Sequence, residues 1–393
     1  MSREKAAGES RRHPAAPPSR HFPLSSARKP RFHPAPMNPA ELPPLRSTLD
    51  LERVLEFEFV RATENAALQS FHWLGRGQKE LADAAACAAI YGVFDLLDIR
   101  GEVVIGEGIK DNAPGIFIGE HLGTWRPGAP RFDIALDPID GTTNIAKGTP
   151  NSISVIAAAQ KPEGAPCAMR SIPSFYCHKL AYGPAVKRAL QGAGDRPLLD
   201  MPLHEVIRFV ADCLGKNIRD VVVVTMDRPR HHGIIEEVRS CGAALRMITD
   251  GDIAAAVAPS LPDGGVDMYV GMGGSPEAVL AAAALKCLGG DMDARMWFHT
   301  PGHRAEVAAQ CSEEEMTRVF RSGDLILGES ALFCATGISD SPLVPGVKIT
   351  GHRAETHSIL MRARSGTIRH IRASHDLDRK IVPIREADRK SVV

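Results

Sequence analysis

Phe132-Asp133-Ile134-Ala135-Leu136-Asp137-Pro138-Ile139-Asp140-Gly141-Thr142-Thr143-Asn144 opens as a strand and runs directly into a turn crowded with carboxylates and hydroxyls. Pro138 removes a backbone donor and fixes φ, and Gly141 lets the chain turn sharply, so the strand is expected to end at about Asp137. Ligand sites in α/β sheets gather at the carboxyl ends of strands, where turns aim side chains into a shared crevice. Asp137 and Asp140, three residues apart in such a turn, can converge on one cation, and two acids so close are hard to tolerate without one. Mg²⁺ and Mn²⁺ favour oxygen ligands and leave positions open for water and phosphate. Thr142, one step past Gly141, places a hydroxyl where it can orient a water for in-line attack on phosphorus. Asp137 and Thr142 are therefore the candidate catalytic pair of a two-metal phosphate ester hydrolase.

Working outward, three further acids fit the same chemistry. Val103-Val104-Ile105-Gly106-Glu107-Gly108 reads as a strand ending in a glutamate between glycines, an open mount for its carboxylate. Val266–Val270 leads through Gly271-Met272-Gly273-Gly274 into Ser275-Pro276-Glu277, with Ser275 expected as the N-cap, Pro276 at the first helical position and Glu277 in the first turn. Glycines before a helix N-terminus also expose N–H groups suited to phosphate. Asp83 lies four residues before Cys87 on the apolar stripe Cys87, Ile90, Phe94 and Leu97, so a carboxylate faces the core and needs compensation.

The surrounding pattern sets the fold class. A helix is expected from about Thr48 towards Trp73 and a second from about Lys79. Short β-rich runs follow at Val103–Ile105, Asp133–Leu136, Ser152–Ala158, Val221–Thr225, Leu245–Ile248 and Val266–Val270. Helices are expected at about Leu203–Leu214, Gly233–Ser240 and Pro276–Leu288, and strand-like pieces return at Leu332–Ala335, Ser358–Ala363 and Thr367–Arg372. Strands alternating with helices predict an α/β (α+β) architecture, a layered α-β-α-β-α sandwich. The chain divides into a Pro/Arg-rich tail over residues 1–46 with no periodicity, an N-terminal metal-binding part over 47–200, a C-terminal substrate-binding part with returning strands over 201–385, and a short tail over 386–393.

Composition excludes several alternatives. Forty-seven basic residues balance forty-seven acidic ones, so attraction for phosphate must be local, and bulk nucleic-acid binding is not expected. The eight cysteines show no C-x-x-C spacing and read as reduced thiols of a cytoplasmic protein. The longest apolar runs fall short of the ~20 residues of a membrane span, so no membrane role is expected. The tail composition also fits an organelle transit peptide loosely, though without a sustained amphipathic helix.

The octapeptide Asp137–Asn144 resembles the signature of the lithium-sensitive, metal-dependent sugar and inositol phosphatase superfamily. W-L-G-R-G-Q-K-E-L-A-D, V-V-I-G-E-G, D-R-P-R-H, D-G-D-I-A-A-A and G-M-G-G-S-P-E-A-V resemble segments of the class II fructose-1,6-bisphosphatases, and the similarity runs from about Glu52 to Arg379. The resemblance implies metal ligation by Asp83, Glu107, Asp137, Asp140 and Glu277 with two or more Mg²⁺ or Mn²⁺ ions. It also implies substrate contacts from Asp140, Gly141, Thr142, Tyr176, Arg228, Pro229, Arg230, Asp250, Gly251, Asp252 and Gly274. Arg228 and Arg230 suit the retained phosphate, and Asp250 and Asp252 suit sugar hydroxyls. The implied reaction is hydrolysis of fructose 1,6-bisphosphate to fructose 6-phosphate in gluconeogenesis, by a dimer or tetramer. Sedoheptulose 1,7-bisphosphate and an inositol-type monophosphate are the alternatives. Two departures stand out: many members carry glutamate at the place of Asp140 and lysine at the place of Arg228.

Overall fold

The computed structural model describes residues 51–106, 116–162, 164–192, 194 and 196–385. The expected tails over 1–46 and 386–393, and Glu107, lie outside the described residues.

In chain order the elements are α1 (Leu51–Phe71), α2 (Lys79–Phe94), β1 (Arg100–Ile105), β2 (His121–Leu122), β3 (Arg131–Asp140), α3 (Thr142–Lys147), β4 (Ile153–Gln160), β5 (Tyr176–Tyr182), α4 (Pro184–Gly192), α5 (Leu203–Leu214), β6 (Val222–Met226), α6 (His232–Ser240) and β7 (Ala244–Ile248). They continue with α7 (Asp252–Val257), β8 (Met268–Gly274), α8 (Ser275–Leu288), β9 (Asp291–Met296), α9 (Pro301–Ala308), α10 (Glu313–Thr317), α11 (Ser322–Leu325), β10 (Leu332–Gly337), β11 (Lys348–Thr350), β12 (Arg353–Arg362) and β13 (Thr367–Asp376). The first sheet has the order β11-β12-β10-β4-β3-β1-β2, with β13 on the other side of β12; the second runs β7-β6-β8-β5-β9. Both sheets are mixed, since β1 is parallel to β3 and β6 is parallel to β7 and β8, while the other pairings are antiparallel.

Alternation along the strands sorts the core into three slabs and so produces the layered α-β-α-β-α order. Ile134, Leu136 and Ile156 face Phe59, Ala66, Ile90 and Phe94 of α1 and α2. Ala135, Val155 and Ala157 face the opposite way, towards α8, whose far side meets Cys177, Ala181 and Tyr269 of the second sheet. The outer face of that sheet, with Leu180, Val223 and Met268, is covered by Val186 of α4, Val206 and Val210 of α5 and Val238 of α6. α8 is apolar nearly all round because it is buried between two sheets, and Ala281, Ala282, Ala283 and Ala284 let both approach its backbone closely. α5 matches its expected span, burying Val206, Ile207, Val210 and Ala211 on one stripe and stopping at Gly215 in the left-handed region.

Two expectations are corrected. The strand does not end at Asp137: β3 continues to Asp140, with its register against β4 shifting between those residues. Pro138 breaks the ladder locally and leaves a bulge, and the turn comes at Gly141, at φ 95°. Gly271–Gly274 belong to β8, and α8 starts at Ser275 with Gly274 as its cap residue. β5, β9, α4 and α7 are additional elements that the local pattern did not reveal. All eight cysteines are free thiols. Among the described residues no helix is long and apolar enough to cross a membrane.

Candidate active site

A cleft of about 330 Å³ opens where turns of both sheets meet. The β3–α3 turn brings Asp140 and Thr142, and the start of β5 brings Tyr176. The β6–α6 connection brings Arg228 and Arg230, the β7–α7 turn brings Asp250, Gly251 and Asp252, and the β8–α8 junction brings Gly274 and Glu277. Four of these five contributions sit at carboxyl ends of strands, the expected place for a site in such sheets.

Hydrogen bonds involving side chains clamp the two sheets' turns together. Thr143 donates its N–H to Asp250 Oδ2 at 2.9 Å, and Ile253 donates to Asp140 Oδ2 at 3.2 Å. Asn144 Nδ2 reaches the carbonyls of Asn151 at 2.9 Å and Asp250 at 3.1 Å, while Asn144 Oδ1 accepts from the Thr249 hydroxyl at 2.7 Å. The tight approach explains two glycines: a Cβ at Gly141 or at Gly251 would stand 2.5 Å from the Asn151 carbonyl oxygen, and both residues have positive φ.

The cleft gathers side chains of both charges. Asp140 is 5% exposed, and its carboxyl is held well above the usual range, first by burial and then by the negative charges of Asp252, Glu277 and Asp250. The same cleft holds Arg228, whose Nη2 is 3.5 Å from Asp250 Oδ1, and Arg230, whose Nε donates to the Met272 carbonyl at 3.0 Å. The Arg230 guanidinium lies 5.8 Å from the centroid of the Tyr176 ring. Behind the acids a buried ammonium, Lys179 Nζ, stands 2.6 Å from Asp252 Oδ2. Burial opposes its charge, but Asp252, Cys177 and Glu277 outweigh that effect and raise its pKa.

The sequence profile described as bacterial fructose-1,6-bisphosphatase, glpX-encoded, matches residues 53–375. A class 2 fructose-1,6-bisphosphatase 1 of Escherichia coli K12 is 38% identical over 341 residues, covering 84% of this chain and 97% of that protein. The class 2 fructose-1,6-bisphosphatase of Shigella flexneri gives the same values. The chain belongs to the class II fructose-1,6-bisphosphatase family. Metal dependence is general in this class II family.

Whether the residues present fit such ions is a matter of donor chemistry and charge. The cleft offers carboxylate oxygens, the ligands hard divalent cations take, and the charges of Asp252, Glu277 and Asp250 add to burial in raising the Asp140 carboxyl. Among the described residues no three such side chains already stand at ligand spacing. Asp140 and Glu277 line the cleft itself. Asp137 lies three residues upstream in β3 and accepts from the Ile139 N–H at 3.0 Å. Asp83 is half-buried on α2, which packs on α3 and β3, and Gly75 and Gly77 donate to the carbonyls of Ile145 and Ala146. The carboxylates of Asp140 and Glu277 in the cleft therefore have the donor chemistry such ions take.

Of the expected substrate contacts, Asp140, Thr142, Tyr176, Arg228, Arg230, Asp250, Gly251, Asp252 and Gly274 line the cleft, and Gly141 and Pro229 are their chain neighbours outside its lining. The sequence reading missed Asn144, Asn151, Lys179 and Tyr269. Lys179 carried a legible signal: in Tyr176-Cys177-His178-Lys179-Leu180-Ala181-Tyr182 it has the inward parity of Cys177 and Ala181, which is foreign to a solvated lysine.

Proposed function

We propose that this chain hydrolyses the 1-phosphate of fructose 1,6-bisphosphate to give fructose 6-phosphate and inorganic phosphate in gluconeogenesis. The observation that carries the reading is the convergence on one cleft of Asp140, Asp252 and Glu277 with Arg228 and Arg230, in a member of this family. The carboxylates suit a reacting phosphate accompanied by cations, and the arginines suit the phosphate that is retained. The names of the relatives speak for fructose 1,6-bisphosphate and not for the sedoheptulose or inositol alternatives.

Asp83, Glu107, Asp137, Asp140 and Glu277 would hold two or more Mg²⁺ or Mn²⁺ ions. When bound, such ions supply Lewis-acid polarisation of phosphoryl oxygens and charge stabilisation for attacking and leaving oxygens. The chain's own groups do the rest. The Thr142 hydroxyl orients the attacking water in line with the scissile bond, without a phosphoenzyme. Arg228 and Arg230 grip the distal phosphate, Asp250 and Asp252 accept hydrogen bonds from sugar hydroxyls, and Tyr176 walls the cleft with Phe175 and Trp297 packed edge-on against it. Residues 47–200 then supply most metal ligands and residues 201–385 most substrate contacts, with Glu277 crossing over as a ligand and Asp140, Gly141, Thr142 and Tyr176 as substrate contacts. A cytoplasmic homo-oligomer, dimer or tetramer, completes the reading.

The test is phosphate release from fructose 1,6-bisphosphate with Mg²⁺ or Mn²⁺. Asp137→Asn is expected to reduce turnover by at least ~10²-fold, a conservative figure for losing electrostatic stabilisation. Near-normal turnover of that variant under saturating metal would refute the assignment.

A further inference from the structure

Lys179 is 1% exposed and lies on the inner face of β5, in the slab between the two sheets. An ammonium buried so fully is expensive, and replacing a buried ion pair by packed apolar side chains often stabilises a protein, so stability alone is a weak reason for this lysine. Its contacts point to the site. Nζ stands 2.6 Å from Asp252 Oδ2 and donates to the Gly274 carbonyl at 3.1 Å. The Tyr269 hydroxyl donates to the same Oδ2 at 3.0 Å. Among the described residues, the donors that reach the Asp252 side chain converge on that single oxygen.

The strand between them is cut to fit this arrangement. β8 pairs with β5, and a Cβ at Gly273 would collide with Asp252 Oδ2 and stand 2.9 Å from Lys179 Nζ. Further back, a Cβ at Gly271 would stand 3.0 Å from the Tyr269 hydroxyl. The glycines of G-M-G-G thus open a channel for a polar network that ends on a carboxylate lining the cleft.

We propose that Lys179 is a positioning residue, which locks Asp252 through a buried ion pair so that the other carboxylate oxygen is presented to a hydroxyl of the substrate's sugar. Its positive charge also backs the acids of the cleft, keeping Asp252 from turning towards Asp140 and Glu277. The inference rests on the reading that Asp252 contacts the sugar. The reacting phosphate is not involved, so the effect falls on sugar binding rather than on the chemical step.

The test uses the full-length enzyme, with kcat and KM for fructose 1,6-bisphosphate and the Kd of fructose 6-phosphate by calorimetry. Asp252→Asn and Lys179→Met are each expected to raise KM and that Kd by about tenfold or more, the scale of a charge-assisted hydrogen bond, with a smaller change in kcat. Tyr269→Phe, which removes one donor to the same oxygen and no charge, shifts both constants the same way by less. The Lys179→Met/Asp252→Asn double variant binds no worse than Asp252→Asn alone, because the lysine then has nothing left to position. Wild-type constants in Lys179→Met beside an impaired Asp252→Asn overturn the role of Lys179 and leave the sugar contact standing. Wild-type constants in Asp252→Asn overturn the sugar contact itself. If Lys179→Met does not fold, unchanged product binding in Tyr269→Phe, or a double variant weaker than Asp252→Asn, overturns the proposal.

Discussion

Asn151 Nδ2 donates to the backbone carbonyls of both Asp250 and Gly251, at 2.7 Å each, from a residue held at φ 79°. Asn151 precedes β4 in the first sheet, whereas Asp250 and Gly251 form the β7–α7 turn of the second. One side chain therefore fixes the distance between the two halves of the cleft, and its own carbonyl accepts from Asn144. Asparagine suits the position because it tolerates the left-handed region better than most residues.

Asn151→Ala removes both donors and leaves a residue less suited to positive φ. The expected cost is about 1–3 kcal/mol, the penalty for stranding buried hydrogen-bonding groups. KM for the bisphosphate should rise, since Asp250 and Asp252 lose their anchor. Urea unfolding and steady-state kinetics check both effects; a variant with wild-type stability and KM contradicts the clamp.

Gly273→Ala tests the room that β8 leaves for buried charge. The new methyl would meet Asp252 Oδ2 and Lys179 Nζ, forcing a shift that overpacking data put at about 1–3 kcal/mol. A melting temperature equal to wild type would show that the network relaxes freely.

Asp140→Asn separates stability from function. A carboxyl whose folded pKa is raised makes folding less favourable once pH exceeds its unfolded value, because the unfolded state ionises more easily. The metal-free asparagine variant should therefore be more stable than wild type at about pH 7, by about 1 kcal/mol as an order of magnitude for such relief. Turnover should fall at least ~10²-fold. Thermal scans with and without Mg²⁺ or Mn²⁺ provide the check: the ions should raise the wild-type midpoint and do far less for the variant. An equal metal response in both proteins counts against Asp140 as a ligand.

Acid sensitivity should come from buried histidines. His178 and His231 are pushed down to about 4, in each case by burial first and then by an arginine, Arg295 for His178 and Arg230 for His231. His375 is likewise held at about 4 by burial and by Lys380. Between the ordinary value near 6.5 and about 4 the unfolded chain binds more protons than the folded one, so stability rises with pH across that window and is lost as pH falls through it. His231 Nε2 accepts from the Met272 N–H at 2.7 Å, which a protonated ring cannot do. Urea midpoints should drop from about pH 7 to about pH 5, and His231→Gln should flatten part of the slope. A pH-independent midpoint contradicts this origin.

What was legible in the sequence was what local chemistry dictates. Apolar stripes at helical spacing gave α5, and the Asp-Pro and Asp-Gly steps marked the turn that carries Asp140 and Thr142. β9 was hidden because Asp-Met-Asp-Ala-Arg-Met looks like surface. Its acids are nevertheless buried and paired with remote groups: Asp291 with Lys187 at 3.1 Å, and Asp293 with Arg321 at 3.3 Å. β5 was hidden because His178 and Lys179 interrupt its apolar run, and the inward lysine is explained only by distant partners, Asp252 and Gly274. Propensity does not see compensation across such separations, which is why Asn151 and Tyr269 also escaped notice. Glu107, well marked in sequence, lies outside the described residues.

Arg228 and Arg230 bear on the choice between a bisphosphate and a monophosphate. Arg230 commits its Nε to the Met272 carbonyl, which leaves the terminal guanidinium nitrogens for a ligand, and its plane lies near Tyr176. Arg228 is held more loosely, by the 3.5 Å pairing with Asp250. Each guanidinium that forks onto a phosphate contributes about 1.5–3 kcal/mol, or roughly tenfold to a hundredfold in affinity. Arg230→Ala should therefore raise KM for fructose 1,6-bisphosphate by that factor with a smaller loss in kcat. Arg228→Lys keeps the charge but loses the fork, and should cost less. The sharper readout is a ratio: fructose 1-phosphate has no distal phosphate to lose, so removing both arginines should bring its kcat/KM close to that of the bisphosphate. If the preference for the bisphosphate survives the double substitution, the second phosphate is held elsewhere, and the role assigned to the two arginines is wrong.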